Sequence, residues 1–395
     1  MMSVNGKAMR IGIDIRAISH PQPGGFKSYT SGLVSGLASV DHEDQFVLYA
    51  DRSCQLPSIA DRLNFSIVTL KSPEHLMGMG AMVREQVFLP RAAWQEDFDI
   101  FHFPCATGPL LFPRTKVVTI HDAIEFIEKP PLFVNRSIRR WLMSLYSRQV
   151  QLRIARQAQL ILTDSAYSKA DLLKYLRVPE DKIRVIPIAC CDHYHPLLDG
   201  QMEETRWRLN LPGTFVLAMA SASPRKNSLG LLKIYACLPV ELRKKFPLLI
   251  VWTHSLFQDE MRDHCGKLGL ENDVLFLPKV TDQDLVVLYN SASVFVFPSL
   301  YEGFGLPVLE AMACGTPVMA SDLTSIPEVT GNAAELADPR NIEEFSQALR
   351  RILESSQRRL ELSQAGLARS AQFSWAVTAQ KTLSSYLDAA RKTSC

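Results

Sequence analysis

One segment near residue 300 constrains the fold more than any other part of the chain. Residues Val294–Phe297 form a short run of β-branched and aromatic residues, which is typical of a buried strand. Gly303 and Gly305 follow it and permit a tight turn whose backbone comes close to a ligand. Pro307 suits the start of a helix and Gly315 suits its end. The segment therefore predicts a strand, a glycine turn and a helix N-terminus.

Such an arrangement can bind an anion. The backbone N–H groups at a helix start have no partner within the helix, and the helix dipole favours negative charge there. Glu302 and Glu310 flank the helix start, and carboxylates accept hydrogen bonds readily from hydroxyl groups. A ligand with both phosphate and hydroxyl groups would use both features, which indicates a sugar nucleotide.

Strands and helices alternate along the rest of the chain. Alternation predicts parallel sheets covered on both faces, and two blocks of it predict an α/β protein with two Rossmann-like domains facing across a cleft. The polar, Pro- and Gly-containing segment His195–Met202 is the expected boundary, which gives an N-terminal domain of residues 1–197 and a C-terminal domain of residues 198–375. The expected strands are Arg10–Ile15, Phe46–Tyr49, Phe65–Leu70, Ile100–Phe103, Val117–Ile120, Leu160–Thr163, Arg184–Ile188, Phe215–Ala220, Leu248–Trp252, Val274–Leu277, Val294–Phe297 and Val318–Ala320.

Composition excludes several classes of protein. The 395 residues are 47% hydrophobic and 21% charged with a net charge of +2, so a nucleic-acid partner is not expected. No apolar run is long enough for a membrane span, and the first ten residues lack a signal-peptide pattern. Eight scattered cysteines without a C-x-x-C pair predict a reducing, cytoplasmic environment.

The segment from Phe297 to Asp322 resembles the E-x7-E signature of the retaining glycosyltransferases of family 4, also called glycosyl transferases group 1. Its central stretch, GFGLPVLEAMACGTPV, is close to the common form of that family. The resemblance is tight over residues 281–338 and loose in the first two hundred. It implies a GT-B fold, with two Rossmann-like domains facing across a central cleft. It also implies that a last helix, about residues 376–395, crosses back to the N-terminal domain.

The resemblance also implies roles for the glutamates. Glu302 and nearby backbone would meet the transferred sugar, Glu310 would meet the ribose hydroxyls, and the amides around Gly303–Leu306 would stabilise the leaving phosphate. The alternative is a turn carboxylate at Glu302 and a solvated helix residue at Glu310. The four residues that follow Glu302 in the donor site are Gly303, Phe304, Gly305 and Leu306.

A second candidate site follows the strand Phe215–Ala220. Its sequence, Pro224-Arg225-Lys226-Asn227, resembles the P-R-K-N loop of family 4, whose lysine contacts the donor diphosphate. Adjacent Arg225 and Lys226 would neutralise a diphosphate, with arginine as a planar fork and lysine as a point charge. Family members that carry a further upstream arginine have it where this chain has Ser221. The alternative is a solvated loop with two surface cations.

Three further positions complete the predicted site. His121 resembles the family histidine that lies beside the transferred sugar, and Asp122 either orients its imidazole or caps the next turn. Gly25 belongs to a segment similar to the N-terminal glycine loop of the family, although Lys27 replaces its usual second glycine. Val280, next to Lys279, is expected to line the pocket for the base. Isolated from that context, His121 would be a packed core histidine and the glycine loop a plain turn.

Other features carry alternatives that the sequence leaves open. The arginine-rich segment Arg136–Arg156 is either an interfacial membrane helix, giving peripheral contact at the inner face of the membrane, or an amphipathic helix that covers the sheet. Asp97-Phe98-Asp99 has the letters of a D-x-D metal motif but precedes a strand, and Asp282-Gln283-Asp284 reads as a helix start. No metal site and no cofactor are therefore expected.

The resemblance implies a retaining, metal-independent hexosyltransferase. Its donor would be a nucleoside diphosphate sugar, with GDP-mannose favoured over UDP-sugars, and its acceptor a glycan or lipid-linked glycan of surface polysaccharide assembly. Two other readings remain: a non-catalytic nucleotide-sugar-binding subunit and a sugar-nucleotide 2-epimerase. Intact Glu302, Glu310, Lys226 and His121 argue against the first, and the combined E-x7-E and P-R-K-N motifs argue against the second.

Overall fold

The structure is a computed structural model that describes residues 8–19, 24–70, 80–94, 96–127, 138–252, 258–278 and 280–393. The chain divides into two compact units. Unit 1 comprises Met1–Ala189 together with Ser374–Cys395, and unit 2 comprises Cys190–Phe373. Among the positions discussed above, Arg136 and Lys279 lie outside the described residues.

Unit 1 contains a sheet of seven parallel strands within its described part, in the order β3-β2-β1-β4-β5-β6-β7. The order reverses between β1 and β4. The strands are β1 Arg10–Asp14, β2 Gln45–Ala50, β3 Phe65–Thr69, β4 Ile100–Phe103, β5 Lys116–Thr119, β6 Leu160–Thr163 and β7 Ile183–Val185. The helices up to the unit boundary are α1 Arg16–Ser19, α2 Gly25–Val40, α3 Gly80–Val83, α4 Leu89–Trp94, α5 Ile124–Ile127, α6 Ile138–Gln157 and α7 Ala166–Leu176, with a π-helical turn at Arg84–Phe88.

Unit 2 also contains a parallel sheet. In the part of the chain that is described it has six strands, in the order β10-β9-β8-β11-β12-β13. Its strands are β8 Val216–Ala220, β9 Leu248–Trp252, β10 Val274–Pro278, β11 Val294–Phe297, β12 Val318–Ser321 and β13 Glu335–Ala337. Its helices are α8 Asp199–Arg208, α9 Ser228–Ala236, α10 Val240–Lys245, α11 Gln258–Lys267, α12 Asp282–Ser291, α13 Leu306–Ala313, α14 Ile326–Thr330, α15 Ile342–Glu354 and α16 Ser356–Ser370.

The sheets form because the central strands are apolar on both faces. Every residue of β4, β6, β11 and β12 is buried, as expected for a parallel sheet between two helical layers. Each predicted strand is present to within a few residues at its ends. Strand β13 was not predicted, because its three residues at the sheet edge are too few to show a periodic pattern.

The arginine-rich helix α6 packs one side against the sheet of unit 1. Val150, Ile154 and Ala155 are buried, whereas Leu142 is 53% exposed. Arg148 lies over the ring of Phe126 at 5.4 Å. These contacts support the reading as a sheet-covering helix, and no helix in the described ranges is long and apolar enough to cross a membrane.

The last helix, α17 (Trp375–Thr393), belongs to unit 1 and packs along α2. The two helices approach closely because α2 has glycine at the crossing. A Cβ placed on Gly32 would stand 2.0 Å from the indole of Trp375, and one on Gly36 would stand 2.3 Å from the carbonyl oxygen of Trp375. Arg184 of β7 holds the far part of α17 through an ion pair of 2.6 Å with Asp388.

Candidate functional site

Two loops of unit 2 meet where the strand order reverses. Strands β8 and β11 are neighbours there, and parallel sheets bind ligands beyond the carboxyl ends of such strands. The loop after β8 forms a 3-10 turn at Pro224–Lys226, and Asn227 follows in the left-handed conformation with a φ of 53°. Nδ2 of Asn227 donates to the carbonyl of Pro298 at 3.2 Å, which ties this loop to the one after β11.

Glu302 forms ion pairs with both cations of the P-R-K-N loop. Nζ of Lys226 lies 2.6 Å from its Oε1, and Nη1 of Arg225 lies 3.1 Å from its Oε2. The hydroxyl of Ser299 donates to Oε1 at 2.6 Å, and the Glu302 side chain is only 9% exposed. Lys226 also stands 4.8 Å above the ring of Phe297. The loop is therefore a structured cluster of charges rather than a solvated turn with surface cations.

The backbone between Glu302 and α13 is held in a fixed shape. Gly305 has a φ of 105°, which favours glycine, and a Cβ there would stand 2.5 Å from Cδ1 of Ile326. The hydroxyl of Ser325 lies 2.9 Å from the carbonyl oxygen of Glu302 and 3.0 Å from that of Phe304. Helix α13 begins at Leu306, one residue before the start that Pro307 predicts.

The side chain of Phe304 has a structural role in this turn. It is buried and packs edge-on against the ring of Phe373, with 5.9 Å between centroids. Gly303 is also buried. Any ligand contact of residues 303–306 would therefore come from their backbone N–H groups, as at other helix N-termini that bind anions.

Glu310 lies on α13 in an environment unlike that of Glu302. The hydroxyl of Tyr289 donates to its Oε2 at 3.1 Å. Burial raises the pKa of Glu310 to about 7, and the Tyr289 hydrogen bond and the charge of Lys226 only partly oppose this effect. Burial raises the pKa of Cys190 and of Cys191, and the nearby charge of Glu310 raises both further. The environment of the carboxyl group thus favours its neutral form.

Val280 occupies the loop between β10 and α12, just before the capping Thr281. It is partly exposed. Its place in the base pocket stays a prediction.

His121 of unit 1 stands where the carboxyl ends of three adjacent strands meet. It follows β5, and its partners follow β4 and β6, which flank β5 in the sheet. Nδ1 lies 2.7 Å from Oδ2 of Asp164, and Nε2 lies 3.1 Å from the carbonyl oxygen of Pro104. The rings of Tyr29 and Phe26 lie against the imidazole, with centroids 4.5 Å and 5.3 Å away.

The structure decides between the two readings of Asp122. Its Oδ1 accepts a hydrogen bond of 2.9 Å from the backbone N–H of Ile124, so it caps the turn that begins α5. The imidazole of His121 is instead contacted by Asp164, which no sequence motif singled out.

Gly25 is the first residue of α2 and is exposed. A Cβ on Gly25 would meet nothing within 4 Å, so packing within the described structure does not require glycine at this position. Lys27 lies within the first turn of the same helix. The part that Gly25 plays in binding stays a prediction.

The two acidic pairs that were rejected as metal sites have structural partners. Asp99 accepts from the backbone N–H of Arg10 at 2.7 Å, and Asp97 pairs with Arg114 at 3.0 Å. Asp284 forms a capping box with Thr281 at the start of α12. In the described ranges, no three His, Cys, Asp or Glu side chains form a group that could hold a metal ion.

Three residues that contact the predicted site residues could not be identified from the sequence. Ser299, Tyr289 and Asp164 contact predicted site residues but carry no motif. The adjacency of β5 to β6 brings Asp164 to His121, the packing of α12 near α13 brings Tyr289 to Glu310, and the turn after β11 brings Ser299 to Glu302.

Comparisons with known proteins agree with the motifs. The family model described as "Glycosyl transferases group 1" matches residues 201–369, and that described as "Glycosyltransferase Family 4" matches residues 23–189. The O-antigen chain mannosyltransferase B of Escherichia coli is 33% identical over 302 residues, which cover 75% of this chain and 77% of that protein. The chain belongs to glycosyltransferase family 4. Together, these matches identify it as a glycosyltransferase.

A further relative and a solved structure extend the comparison. The serotype-specific mannosyltransferase WbdA of Escherichia coli is 30% identical over 282 residues, or 69% of this chain, but the match spans only 33% of WbdA. The crystal structure of Anabaena Alr3699/HepE in complex with UDP and glucose superposes with a TM-score of 0.72 at 18% identity, covering 95% of this chain and 99% of that one. This likeness confirms the GT-B fold expected from the sequence.

Proposed function

We propose that this glycosyltransferase is a retaining, metal-independent mannosyltransferase of surface polysaccharide assembly. Its donor would be GDP-mannose in preference to UDP-sugars, and its acceptor a hydroxyl of a glycan or lipid-linked glycan. The observation that carries the proposal is the Lys226–Glu302–Arg225 cluster beside the start of α13. The mannosyltransferase names of the two relatives described above favour mannose as the sugar.

The cluster suits a nucleoside diphosphate in a specific way. Lys226 and Arg225 together carry two positive charges and Glu302 one negative charge, so the cluster attracts a diphosphate without a bound cation. Glu302 pairs with both cations. A diphosphate would take over part of that pairing and release carboxylate oxygens to accept from sugar hydroxyls. Glu310, next to Tyr289, would accept from the ribose.

The reaction would break the bond between the sugar C1 and the diphosphate oxygen and form one between C1 and the acceptor oxygen. The acceptor proton would pass to the departing phosphate. Negative charge grows on that phosphate, and Lys226, Arg225 and the N–H groups at the start of α13 can stabilise it. No protein nucleophile is proposed, because Glu302 and Glu310 would serve different ends of the donor, unlike the two carboxylates that flank one bond in retaining glycosidases.

His121 would lie beside the transferred sugar, and Val280 and Gly25 would contact the base and the phosphate or acceptor. We place the protein in the cytoplasm, at the inner face of the membrane when the acceptor is lipid-linked. None of the seven cysteines in the described residues is in a disulfide, which agrees with a reducing compartment.

The first test is a thermal-shift panel with GDP, UDP, ADP and dTDP, each with and without EDTA. A nucleotide at about one hundred times its dissociation constant stabilises its binding domain by roughly 2.7 kcal/mol. We expect a selective shift with GDP that EDTA leaves unchanged, followed by mannosyl transfer from GDP-mannose with retained configuration. A selective UDP shift would contradict the proposed donor. Loss of every shift with EDTA would contradict metal independence, and no shift at all would favour the non-catalytic reading.

A further inference from the structure

Both ring nitrogens of His121 face atoms that only accept hydrogen bonds. One partner is the carboxylate oxygen of Asp164 at 2.7 Å, and the other is the carbonyl oxygen of Pro104 at 3.1 Å. A neutral imidazole has one N–H and could donate to only one of them. Both contacts are hydrogen bonds only when both nitrogens carry a proton. The geometry therefore points to an imidazolium.

A second buried histidine in unit 1 shows the opposite arrangement. His102 of β4 has the hydroxyl of Tyr386 at 2.6 Å from Nδ1 and that of Thr119 at 2.7 Å from Nε2. Hydroxyl groups donate as well as accept, so a neutral imidazole satisfies both contacts. Burial and the nearby charge of His121 lower the pKa of His102 to about 3. Unit 1 thus contains a neutral histidine and a charged one close together.

The charges around His121 favour its protonated form. Asp164 at the end of β6 and Asp122 on its own loop are acidic, while His102 is neutral and the Tyr29 ring lies at 80° to the imidazole. Burial alone would lower the pKa of His121, but the charge and hydrogen bond of Asp164 outweigh burial and leave the pKa raised. The raised pKa therefore agrees with the protonated ring that the hydrogen-bond geometry indicates.

The imidazolium is held rigidly but remains reachable. The Tyr29 hydroxyl lies 2.9 Å from the Thr119 hydroxyl, which fixes the ring that packs on His121. The side chain of His121 is 15% exposed, whereas that of Asp164 is 4% exposed. A buried ion pair contributes little net stability, because desolvation offsets its attraction. Stability alone therefore does not account for the pair.

We propose that Asp164 is a positioning residue of the transfer reaction, which holds His121 as a positively charged N–H donor toward the substrate. This inference rests on the function proposed above. Asp164 fixes the ring through Nδ1, so that Nε2–H, now directed at the Pro104 carbonyl, can be shared with a substrate oxygen. Without the carboxylate, burial would favour the neutral ring, and its positive charge would be lost.

The test compares Asp164→Asn with Asp164→Glu and Asp122→Asn in the full chain. We expect Asp164→Asn to lower kcat at pH 8 by about 10- to 100-fold and to move the alkaline limb of the pH profile to lower pH, because burial without the carboxylate favours the neutral ring. Asp164→Glu keeps the charge and should keep the alkaline limb of the pH profile. Asp122→Asn should shift that limb less, because its carboxylate caps a turn instead of contacting the ring.

Two further readouts separate this inference from the proposed function and from misfolding. Nitrogen-15 NMR of the imidazoles, with His121 assigned by a His121→Gln variant, should show both nitrogens protonated at pH 7 in the unsubstituted protein. A neutral His121 ring in the unsubstituted protein, or an Asp164→Asn variant whose alkaline limb stays at the pH of the unsubstituted protein, overturns the inference. Nucleotide affinity, which depends on unit 2, should be unchanged in Asp164→Asn. If the unsubstituted protein bound no nucleotide, the proposed function would fail while the NMR result still decided the state of His121.

Discussion

Replacing Glu310 by glutamine should stabilise the protein while weakening its binding of nucleotide. The unfolded chain releases the Glu310 proton near the ordinary pKa of 4.5, but the folded chain releases it near 7. Between these values the unfolded state binds fewer protons, so the free energy of unfolding decreases as pH rises. The total decrease is about 3 kcal/mol, and it is complete above pH 7. Glutamine has no such ionisation.

The assay is urea unfolding followed by circular dichroism at several pH values, with Glu310→Gln compared against the unsubstituted protein. The difference in unfolding free energy should grow by about 1.4 kcal/mol per pH unit from pH 5.5 to 7 and then level off. Glu203→Gln serves as the matched control, since Glu203 is an exposed glutamate of α8 in the same unit. Because Glu203 is exposed, its substitution should change the unfolding free energy by no more than about 0.5 kcal/mol.

Nucleotide affinity should increase with pH, whereas the free energy of unfolding decreases. Ribose hydroxyls donate to the ionised carboxylate, so binding of GDP should strengthen up to about pH 7 and level off above it, relative to Glu310→Gln. Calorimetric titrations over the same pH range measure this. A stability difference that is constant from pH 5.5 to 8.5 would refute the reasoning, because it would mean that Glu310 ionises as an ordinary, hydrated carboxyl group.

Three other substitutions test the remaining parts of the structure. Lys226→Met should reduce kcat by about 100-fold, through lost stabilisation of the leaving phosphate, and a kcat within twofold of normal would contradict its role. Gly32→Ala should destabilise unit 1 by about 1 to 3 kcal/mol, because the added methyl group overlaps the Trp375 indole, and a melting temperature unchanged by differential scanning calorimetry would contradict the packing. Gly305→Ala should weaken GDP binding more than tenfold, since its φ of 105° and the contact with Ile326 would force the turn to shift; calorimetry that finds normal affinity would count against the turn as a binding element.

The sequence alone predicted the two-sheet architecture and the local shape of the donor loop. Both depend on short-range patterns, such as the apolar runs of the strands and the glycine and proline positions around α13. Strand β13 was not predicted, because its three residues form a strand only through pairing with β12. The domain boundary was expected at residue 197, and the compact units divide after Ala189.

The partners of the site residues could not be predicted in the same way. Lys226 and Glu302 are 76 residues apart, and His102 and Tyr386 are 284 apart. These pairs form because particular strands and helices become neighbours, and no periodicity in the sequence records that adjacency. The motifs named Lys226, Glu302 and His121, but only the tertiary structure shows that Glu302 holds the lysine and that Asp164 holds the histidine.

The position of α17 has a consequence for biosynthesis. Trp375 fills the space that Gly32 leaves on α2, and Tyr386 completes the hydrogen bonds of His102, so unit 1 needs a helix that the ribosome makes only after all of unit 2. Unit 2 is one continuous stretch and can fold as soon as it emerges. The half of the protein that is translated first should therefore be the last to reach its native state, and until then the glycine face of α2 is open to chaperones and proteases.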